Sequence, residues 1–267
     1  MEPFILKKNS FIPYLEIFPW KEKFKNILCG FSLAKEGKNK YNYSFVLKEE
    51  DENVVILRKL LCKELGVPFS SFTCAKQVHG NEVFIVSLQE RGLGRESVDD
   101  AIAFTDGLLT TEPDILLASF YADCVPLFFY SEDIQAIGIA HAGLRGTLKN
   151  ISFHMLEKFI VLGAKKDSLN VCIGPSIGPC CYEIGEDFVE EIRKLKLEKD
   201  FLRVRDKKTF VDLKNLNKEL LLKQGLLPAK IECSNYCTSC RNDIFFSYRK
   251  EKEKAGRMVA FIFKRRF

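Results

Sequence analysis

Apolar residues recur with a helical period in several parts of the chain. Between residues 51 and 66 they form a single face: Val54, Leu57, Leu60, Leu61 and Leu65. Gly66 and Pro68 then end the pattern. The same period marks residues 147–162, with Thr147 as the cap, and the stretches 185–198 and 212–225. The pattern therefore predicts four amphipathic helices.

Short runs rich in apolar residues predict β-strands. They are NEVFIVS from about Glu82, ILLASFY (115–121), CVPLFFY (124–130), IQAIGIA (134–140), SLNVCIG (168–174) and GRMVAFIF (256–263). The runs 115–121, 124–130 and 134–140 are continuously apolar, which is typical of strands covered on both faces, although Pro126 suggests an edge strand or a bulge. The elements do not alternate as βαβ units, and no repeat or linker divides the chain. We therefore predict an α+β fold with mixed sheets in one domain, 1–267.

Composition and charge exclude several classes of protein. The 267 residues are 46% hydrophobic and 29% charged, as in an ordinary globular protein. The formal charge is only +5, and the basic residues are dispersed except in the final KRRF, so we expect no nucleic-acid partner. The start lacks a secretory h-region, and the apolar stretch 115–130 is too short and carries Asp123. We expect a cytoplasmic protein with no membrane partner.

Ten cysteines without a secretory signal indicate buried thiols or metal ligands rather than disulfides. Cys233, Cys237 and Cys240 have the spacing of a radical-SAM cluster, but too few residues follow for that barrel. A second structural metal or buried thiols in a turn both stay open. The adjacent Cys180 and Cys181 could line a pocket or be inert thiols in a rigid loop.

The stretch ADCVPLFFYSEDIQAIGIAHAG reads as a β-hairpin with a cysteine and a histidine at its outer ends. A turn centred between Glu132 and Asp133 places Cys124 opposite His141, with Cβ atoms about 4.5–5.5 Å apart. A thiolate and an imidazole at that separation can share Zn²⁺, and His79 in KQVHGNEV could be a third ligand. Three protein ligands leave one position open, as in catalytic zinc sites. The alternative is a buried thiol and a hydrogen-bonded histidine, and a slipped turn would destroy the pairing.

Residues after the histidine suggest an anion site. In HAGLRGT, Gly143 and Gly146 would let the backbone approach a ligand closely, and Arg145 could bind phosphate through two parallel hydrogen bonds. A plain strand-to-helix turn is the alternative.

Other polar residues could complete the site. Gln77 and Asp123 are sequence neighbours of the predicted ligands and could orient them, although a regular strand would turn Asp123 to the opposite face. Arg249, with Ser247 and Arg257, could hold a polar ligand or satisfy a sheet edge.

Taken together, these motifs resemble the YfiH-like family, also called the laccase-domain or polyphenol oxidase family. The matching stretches are DENVVILRKLL, KQVHGNEV, TDGLLTTEP, ADCVPLFFY, AIGIAHAGLRGT, IGPSIGPCCYEIG, CTSC and FFSYRKEKEKAGRM, covering roughly residues 50–263. The resemblance implies a mixed α/β sandwich in which helices flank the sheets. It also implies zinc held by His79, Cys124 and His141. Leu144 stands where the family usually has Trp, which leaves substrate preference open.

The resemblance further implies phosphorolysis of adenosine, inosine, guanosine and methylthioadenosine, and adenosine deamination. Copper is less expected than zinc, because three histidines in total cannot supply a blue and a trinuclear copper centre. We therefore expect a zinc-dependent purine nucleoside phosphorylase whose partners are a nucleoside and phosphate.

In this hypothesis the three metal ligands are also the catalytic residues. The predicted substrate and phosphate contacts are Arg145, Gly143, Gly146, Arg249 and Gln77. Two alternatives stay open: a zinc or cysteine amidohydrolase acting on a cell-wall precursor, with Cys124 as nucleophile, and a non-catalytic structural zinc module. The sequence leaves undecided the preferred nucleoside, the main reaction, the proton donor and the oligomeric state.

Overall fold

A computed structural model describes residues 1–37, 39–47 and 51–266. The strands, in chain order, are β1 (Phe4–Leu6), β2 (Tyr14–Ile17), β3 (Ile27–Ser32), β4 (Lys35–Glu36), β5 (Asn39–Lys40), β6 (Phe72–Cys74), β7 (Val83–Ile85), β8 (Gly107–Thr110), β9 (Leu116–Tyr121), β10 (Val125–Ser131), β11 (Ala136–Ala142), β12 (Leu169–Ile173), β13 (Glu183–Ile184), β14 (Leu202–Arg205), β15 (Lys208–Val211), β16 (Ile231–Cys233) and β17 (Met258–Lys264). The α-helices are α1 (Phe18–Lys23), α2 (Asp51–Leu65), α3 (Leu144–Leu148), α4 (Ile151–Val161), α5 (Glu186–Lys194), α6 (Leu213–Lys223) and α7 (Tyr248–Glu251).

Two six-stranded sheets form the centre of the fold. The first sheet has the order β1-β2-β3-β17-β9-β6, and the second has the order β16-β12-β10-β11-β8-β7. Most neighbours are antiparallel, but β6 with β9, β7 with β8, and β12 with β16 run parallel. The prediction of mixed sheets with helices is therefore confirmed.

The continuously apolar strands are covered on both faces, as predicted. In β10, Phe128 packs into a core shared with the first sheet, and its neighbour Phe129 packs into a core shared with α4 and α6. In β17, Ile262 joins the core between the sheets, whereas Phe261 joins a third core under α2. Because neighbouring residues of a strand point to opposite faces, these runs produce helix, sheet, sheet and helix layers.

The predicted hairpin is present, but its predicted register is wrong. β10 pairs with β11 so that His141 lies opposite Pro126, and Cys124 precedes the strand on the level of Gly143. The loop spans residues 132–135, so its centre lies one residue later than predicted, and within it the Asp133 carboxylate accepts the Ile134 N–H at 2.8 Å. The shift is two residues, and a two-residue shift keeps side chains on the same face. Cys124 and His141 therefore still meet.

Two local expectations were also wrong. Pro126 suggested an edge or a bulge, yet β10 is central, and Pro126 is tolerated because it lies next to the first residue of the strand. The helix predicted over residues 147–162 begins earlier, at Leu144, and is divided into α3 and α4 where Asn150 adopts a left-handed conformation with φ +58°.

Among the described residues, no helix combines the length and the apolarity that crossing a membrane requires. The cytoplasmic location and the single-domain boundary, 1–267, stay predictions.

Two phenylalanines on α4 test which face of this helix supports the second sheet. Phe159 is fully buried against Phe129 at a ring separation of 6.0 Å, whereas Phe153 is 40% exposed. We expect Phe159→Ala to lower the free energy of unfolding by about 3–5 kcal/mol. Phe153→Ala, the matched control, should change it by about 0.5 kcal/mol. Urea denaturation followed by circular dichroism measures both, and equal losses would contradict this packing.

Candidate metal centre and its cavity

The structure brings together the three side chains predicted as metal ligands. His79 lies between β6 and β7, Cys124 connects β9 to β10, and His141 lies near the end of β11. One ligand atom from each, two nitrogens and one sulfur, lies within 4.8 Å of the others, and the imidazole centroids are 4.7 Å apart. His154, the third histidine of the chain, lies apart on α4 beside Glu157.

Two of the three ligands depend on left-handed backbone. His79 has φ +59°, and Asp123, immediately before Cys124, has φ +82°. The chain crosses here from the first sheet to the second, between β9 and β10. Non-glycine residues seldom adopt this conformation, and it clusters at functional sites. Local propensity alone could not have predicted these turns.

Asp106 joins two of the ligands, and sequence reasoning missed it. Its carboxylate accepts the backbone N–H groups of Val78, His79 and Gly80 at 3.0, 3.0 and 2.8 Å. It also accepts from His141 Nδ1 at 2.8 Å. This leaves His141 Nε2 as the nitrogen free to bind a metal, because a carboxylate on one ring nitrogen fixes the tautomer. The only sequence signal is the stretch Thr105-Asp106-Gly107, whose composition by itself indicates no more than a turn.

The glycines after His141 keep space open beside the ligands. A Cβ on Gly143 would lie 3.1 Å from Cys124 Sγ and 3.2 Å from His79 Cδ2, and a Cβ on Gly146 would lie 2.9 Å from the Gly80 carbonyl oxygen. Both positions were predicted as phosphate contacts. In the structure, they allow α3 to lie directly against the three ligands.

Charge on Cys124 and His141 is coupled. Burial alone would raise the pKa of Cys124, but the imidazole of His141 and that of His79 outweigh burial and lower this pKa to about 6. Burial would lower the pKa of His141, but the Cys124 thiolate and the Asp106 carboxylate raise it to about 9. The metal-free protein at neutral pH therefore holds a thiolate beside an imidazolium.

The three ligands lie in the wall of a cavity of about 770 Å³. Phe120 and the half-buried Tyr182 line it, together with Leu144, which is 7% exposed. Leu144 thus contributes to the shape of the cavity at the position where the family usually has Trp. A volume of this size is in the range of small-molecule sites.

The predicted cations also line this cavity. Arg145 is exposed at the start of α3, and its guanidinium forms no hydrogen bond or ion pair with the described part of the chain. Arg249 donates to the carbonyl oxygens of Cys181 at 3.4 Å and Glu183 at 2.8 Å, and lies over the Tyr182 ring. The Arg145 guanidinium therefore has its N–H groups available for a ligand.

Gln77 and Asp123 support the cavity wall instead of touching the ligands' side chains. The Gln77 amide exchanges two hydrogen bonds with the backbone of Phe120, at 2.8 and 3.0 Å. The buried Asp123 carboxylate accepts from Thr238 Oγ1 at 2.6 Å, Ser247 Oγ at 3.0 Å and the Arg249 N–H at 2.7 Å. It thereby fixes the C-terminal segment against the turn that carries Cys124.

Arg58 lines the cavity, and sequence reasoning also missed it because it lies within an amphipathic helix. It is 1% exposed and donates to the Tyr43 and Gly94 carbonyl oxygens at 2.8 Å each. Its guanidinium lies over the rings of Phe45 and Phe120 at 4.4 and 4.6 Å. One part of the cavity therefore combines flat aromatic rings with a buried cation.

The donor set fits a metal ion. One thiolate and two imidazoles are ligands that zinc accepts, Asp106 orients one of them, and Gly143 leaves room beside all three. The structure thus brings together His79, Cys124 and His141, and places Arg145 and Arg249 on the same cavity.

Replacing the Asp106 carboxylate tests its orienting role. In Asp106→Asn an amide N–H would face backbone donors, and His141 would lose its anionic partner, so we expect zinc affinity to fall about 10–100-fold. Competition with a chromophoric chelator measures the affinity, with Asp99→Asn, an exposed acid, as the matched control. Equal affinities for both variants would contradict the role of Asp106.

Zinc affinity should also depend on pH. Binding requires a thiolate and a neutral imidazole. Between the Cys124 pKa of about 6 and the His141 pKa of about 9, the metal must displace one proton from His141. The dissociation constant should therefore fall about tenfold for each unit of rising pH across this window, and level off above it. A dissociation constant that stops falling well below pH 9 would contradict this coupling, because the metal-free ligands would then hold no proton for the metal to displace.

The chain is similar to one protein family and to several named relatives over most of its length. The family model described as "Multi-copper polyphenol oxidoreductase laccase" matches residues 28–265. The purine nucleoside phosphorylase YlmD of Bacillus subtilis (strain 168) is 31% identical over 268 residues, which cover 97% of this chain and 96% of that protein. The YlmD protein of Geobacillus stearothermophilus, with the same name, is 34% identical, and the match covers 91% of this chain and 92% of that protein.

Two solved structures are similar to this chain over nearly its whole length. The crystal structure of YlmD from Geobacillus stearothermophilus matches with a TM-score of 0.92 and 31% identity, covering 100% of each chain. The structure of the hypothetical protein YfiH from Bacillus licheniformis matches with a TM-score of 0.91 and 32% identity, covering 99% of this chain and 100% of that one. Since the family model and the relatives match nearly the whole chain, this protein belongs to the YfiH-like laccase-domain family.

Proposed function

We propose that this chain is a zinc-dependent purine nucleoside phosphorylase. The observation that carries the proposal is the cluster of His79, Cys124 and His141 in the wall of a cavity of about 770 Å³, which is also lined by Arg145, a cation without a partner among the described residues. The names of the relatives, purine nucleoside phosphorylases at 31% and 34% identity, support the same activity. The expected substrates are adenosine, inosine, guanosine and methylthioadenosine, together with phosphate.

Zinc suits the cluster better than copper does. Two histidines and one cysteine also occur in blue-copper sites, but those add a weak axial ligand, commonly methionine. No methionine lines the described part of this cavity. The chain has only three histidines, too few for an additional trinuclear copper centre. The multicopper set in the family's description therefore lacks the histidines that it needs.

Arg145 is the proposed phosphate-binding residue. Its guanidinium is exposed to the cavity, unpaired within the described chain, and four residues after His141. A guanidinium binds phosphate oxygens through two parallel hydrogen bonds. Arg249 lies on the same cavity and could bind either phosphate or the ribose. Gly143 and Gly146 contribute by allowing α3 to approach the ligands.

The aromatic wall suits a nucleobase. Phe45 and Phe120 lie beside Arg58, and Tyr182 lies under Arg249. A purine is flat and apolar on its faces, so it can stack on such rings. The ribose would then lie between the base and Arg145.

In phosphorolysis, a phosphate oxygen forms a bond to the anomeric carbon of the ribose while the bond from that carbon to the purine nitrogen breaks. The bonding electrons leave with the base, which takes up a proton, and the products are ribose 1-phosphate and the free base. A bound zinc ion would supply a Lewis acid at His79, Cys124 and His141. Arg145 would hold the charge of the phosphate, and the aromatic wall would hold the base, so that the two reacting groups stay aligned.

A cysteine amidohydrolase is the second candidate, and the thiolate–imidazolium pair favours it. The pKa of Cys124, lowered to about 6 by His141 and His79 against the effect of burial, would give a nucleophile at neutral pH. A tightly bound zinc ion would block that thiolate, so metal content separates the two functions.

The third alternative, a non-catalytic structural zinc module, would need a fourth ligand to saturate the metal. The described residues offer three ligands at this position.

An assay with and without phosphate tests the proposal. The purified protein is incubated with adenosine or inosine, and the products are separated by chromatography. We expect the free base and ribose 1-phosphate to form only when phosphate is present. His79→Ala should lower kcat/KM by at least about 100-fold, because even outer partners of metal ligands cost 10–100-fold. His154→Ala, on the exposed side of α4, is the matched control.

Other outcomes would contradict the proposal. Release of ammonia from adenosine without phosphate would assign deamination as the main reaction. Full activity of His79→Ala, or no turnover of any of the four nucleosides by protein loaded with zinc, would overturn a zinc-dependent phosphorylase.

The role of Arg145 can be tested separately. Arg145→Ala should raise the KM for phosphate more than the KM for the nucleoside.

A further inference from the structure

Four other cysteines converge outside the cavity. Cys180 and Cys181 lie in the loop after β12, and Cys237 and Cys240 lie in the turn after β16. All four Sγ atoms lie within 4.8 Å of one another. The two segments are adjacent because β12 and β16 run parallel and end at the same edge, and a bridge between Ser176 and Cys237 extends this pairing.

The spacing of the sulfurs suits a tetrahedral metal ion. Cys240 Sγ lies 3.4 Å from Cys180 Sγ and 3.5 Å from Cys181 Sγ. A zinc ion with Zn–S bonds of about 2.3 Å separates its sulfurs by about 3.8 Å. A disulfide would need an S–S distance of about 2.05 Å and would use only two of the four. The arrangement therefore fits a shared ion better than one covalent pair.

The backbone around Cys237 is arranged for a thiolate. Its Sγ accepts the Gly178 N–H at 3.1 Å and the Cys240 N–H at 3.4 Å. Hydrogen bonds from backbone N–H groups stabilise the charged sulfur. A Cβ added at Gly178 would lie 3.2 Å from Cys237 Cβ and 3.3 Å from Cys180 Sγ, so a side chain there would crowd the cluster.

Cations surround the cluster. Arg205 donates to the Cys180 carbonyl oxygen at 3.0 Å, and Arg249 donates to the Cys181 carbonyl oxygen at 3.4 Å. The buried Lys214 donates from its ammonium group to the carbonyl oxygen of Tyr236 at 2.6 Å, and Tyr236 precedes Cys237 in the chain. Four thiolates around one divalent ion carry a net charge of −2, which these cations would offset.

We propose that Cys180, Cys181, Cys237 and Cys240 bind a second, structural zinc ion. A set of four cysteines saturates tetrahedral zinc and leaves no position for substrate, which is the arrangement of structural sites. The spacing Cys237-x2-Cys240 is common among zinc ligands, whereas the adjacent pair Cys180 and Cys181 departs from the usual spacing.

This ion would stabilise the wall of the catalytic cavity. The loop that carries Cys180 and Cys181 also carries Tyr182, which lines the cavity, and holds the Arg249 guanidinium. Thr238, next to Cys237, donates to the Asp123 carboxylate. A metal at the four-cysteine cluster would therefore fix residues on both sides of the cavity without touching substrate.

Metal analysis tests the proposal in a background without the first site. Protein carrying His79→Ala and Cys124→Ser is purified with zinc, and its metal content is measured by plasma mass spectrometry. We expect about one zinc ion per chain. Adding Cys240→Ser should reduce this to near zero. Cys233→Ser is the matched control, because Cys233 lies in the same segment but outside the cluster, and it should retain the ion.

X-ray absorption on the protein carrying His79→Ala and Cys124→Ser identifies the atoms that bind the zinc ion. This measurement does not require a Cys240 variant to fold. We expect a zinc shell of four sulfurs at about 2.3 Å. A shell containing nitrogen or oxygen, iron in place of zinc, or a Cys180–Cys240 disulfide in the protein as purified would overturn the proposal. Equal zinc content in the Cys240→Ser and Cys233→Ser proteins would overturn it as well.

Discussion

The Asp106 carboxylate is the interaction on which the candidate site depends. It accepts three consecutive backbone N–H groups in the turn that carries His79, and it also accepts from the ring of His141. One buried acid therefore positions two ligands that are separated by more than sixty residues of sequence. A single carboxylate can do this because its two oxygens provide about four acceptor positions.

Asp123 has a corresponding role on the other side of the site. Its carboxylate accepts from Thr238, Ser247 and the backbone of Arg249, all from the C-terminal part of the chain. Its left-handed backbone, with φ +82°, directs the next residue, Cys124, toward the two histidines. The site thus depends on two buried acids, one holding the histidines and the other connecting the cysteine turn to the cavity wall. The four-cysteine cluster lies behind that wall and would stabilise it from the opposite side.

Much of the architecture could be predicted from local patterns. Continuous apolar runs indicated strands buried on both faces, and Phe128 and Phe129 do pack into different cores. The convergence of Cys124 with His141 was also predictable. The predicted register was wrong by two residues, but a shift of two residues keeps side chains on the same face of a strand.

Other parts of the site could not be predicted from local patterns. His79 was predicted as a ligand only from its residue type and from the family resemblance, because no local pattern indicates which loops meet. Asp106 and Arg58 could not be predicted, because their hydrogen-bond partners are mostly backbone groups that only the tertiary fold brings close. The clustering of Cys180 with Cys240 likewise depends on the parallel pairing of β12 with β16, which the sequence does not encode locally.

The most direct measurement of the central claim is anomalous diffraction from crystals of the full chain, recorded at the zinc and the copper absorption edges. We expect a zinc peak bound by His79, Cys124 and His141, with a Zn–S distance of about 2.3 Å and Zn–N distances of about 2.0–2.1 Å. A copper peak at this position, or no metal there in crystals grown with zinc, would contradict it.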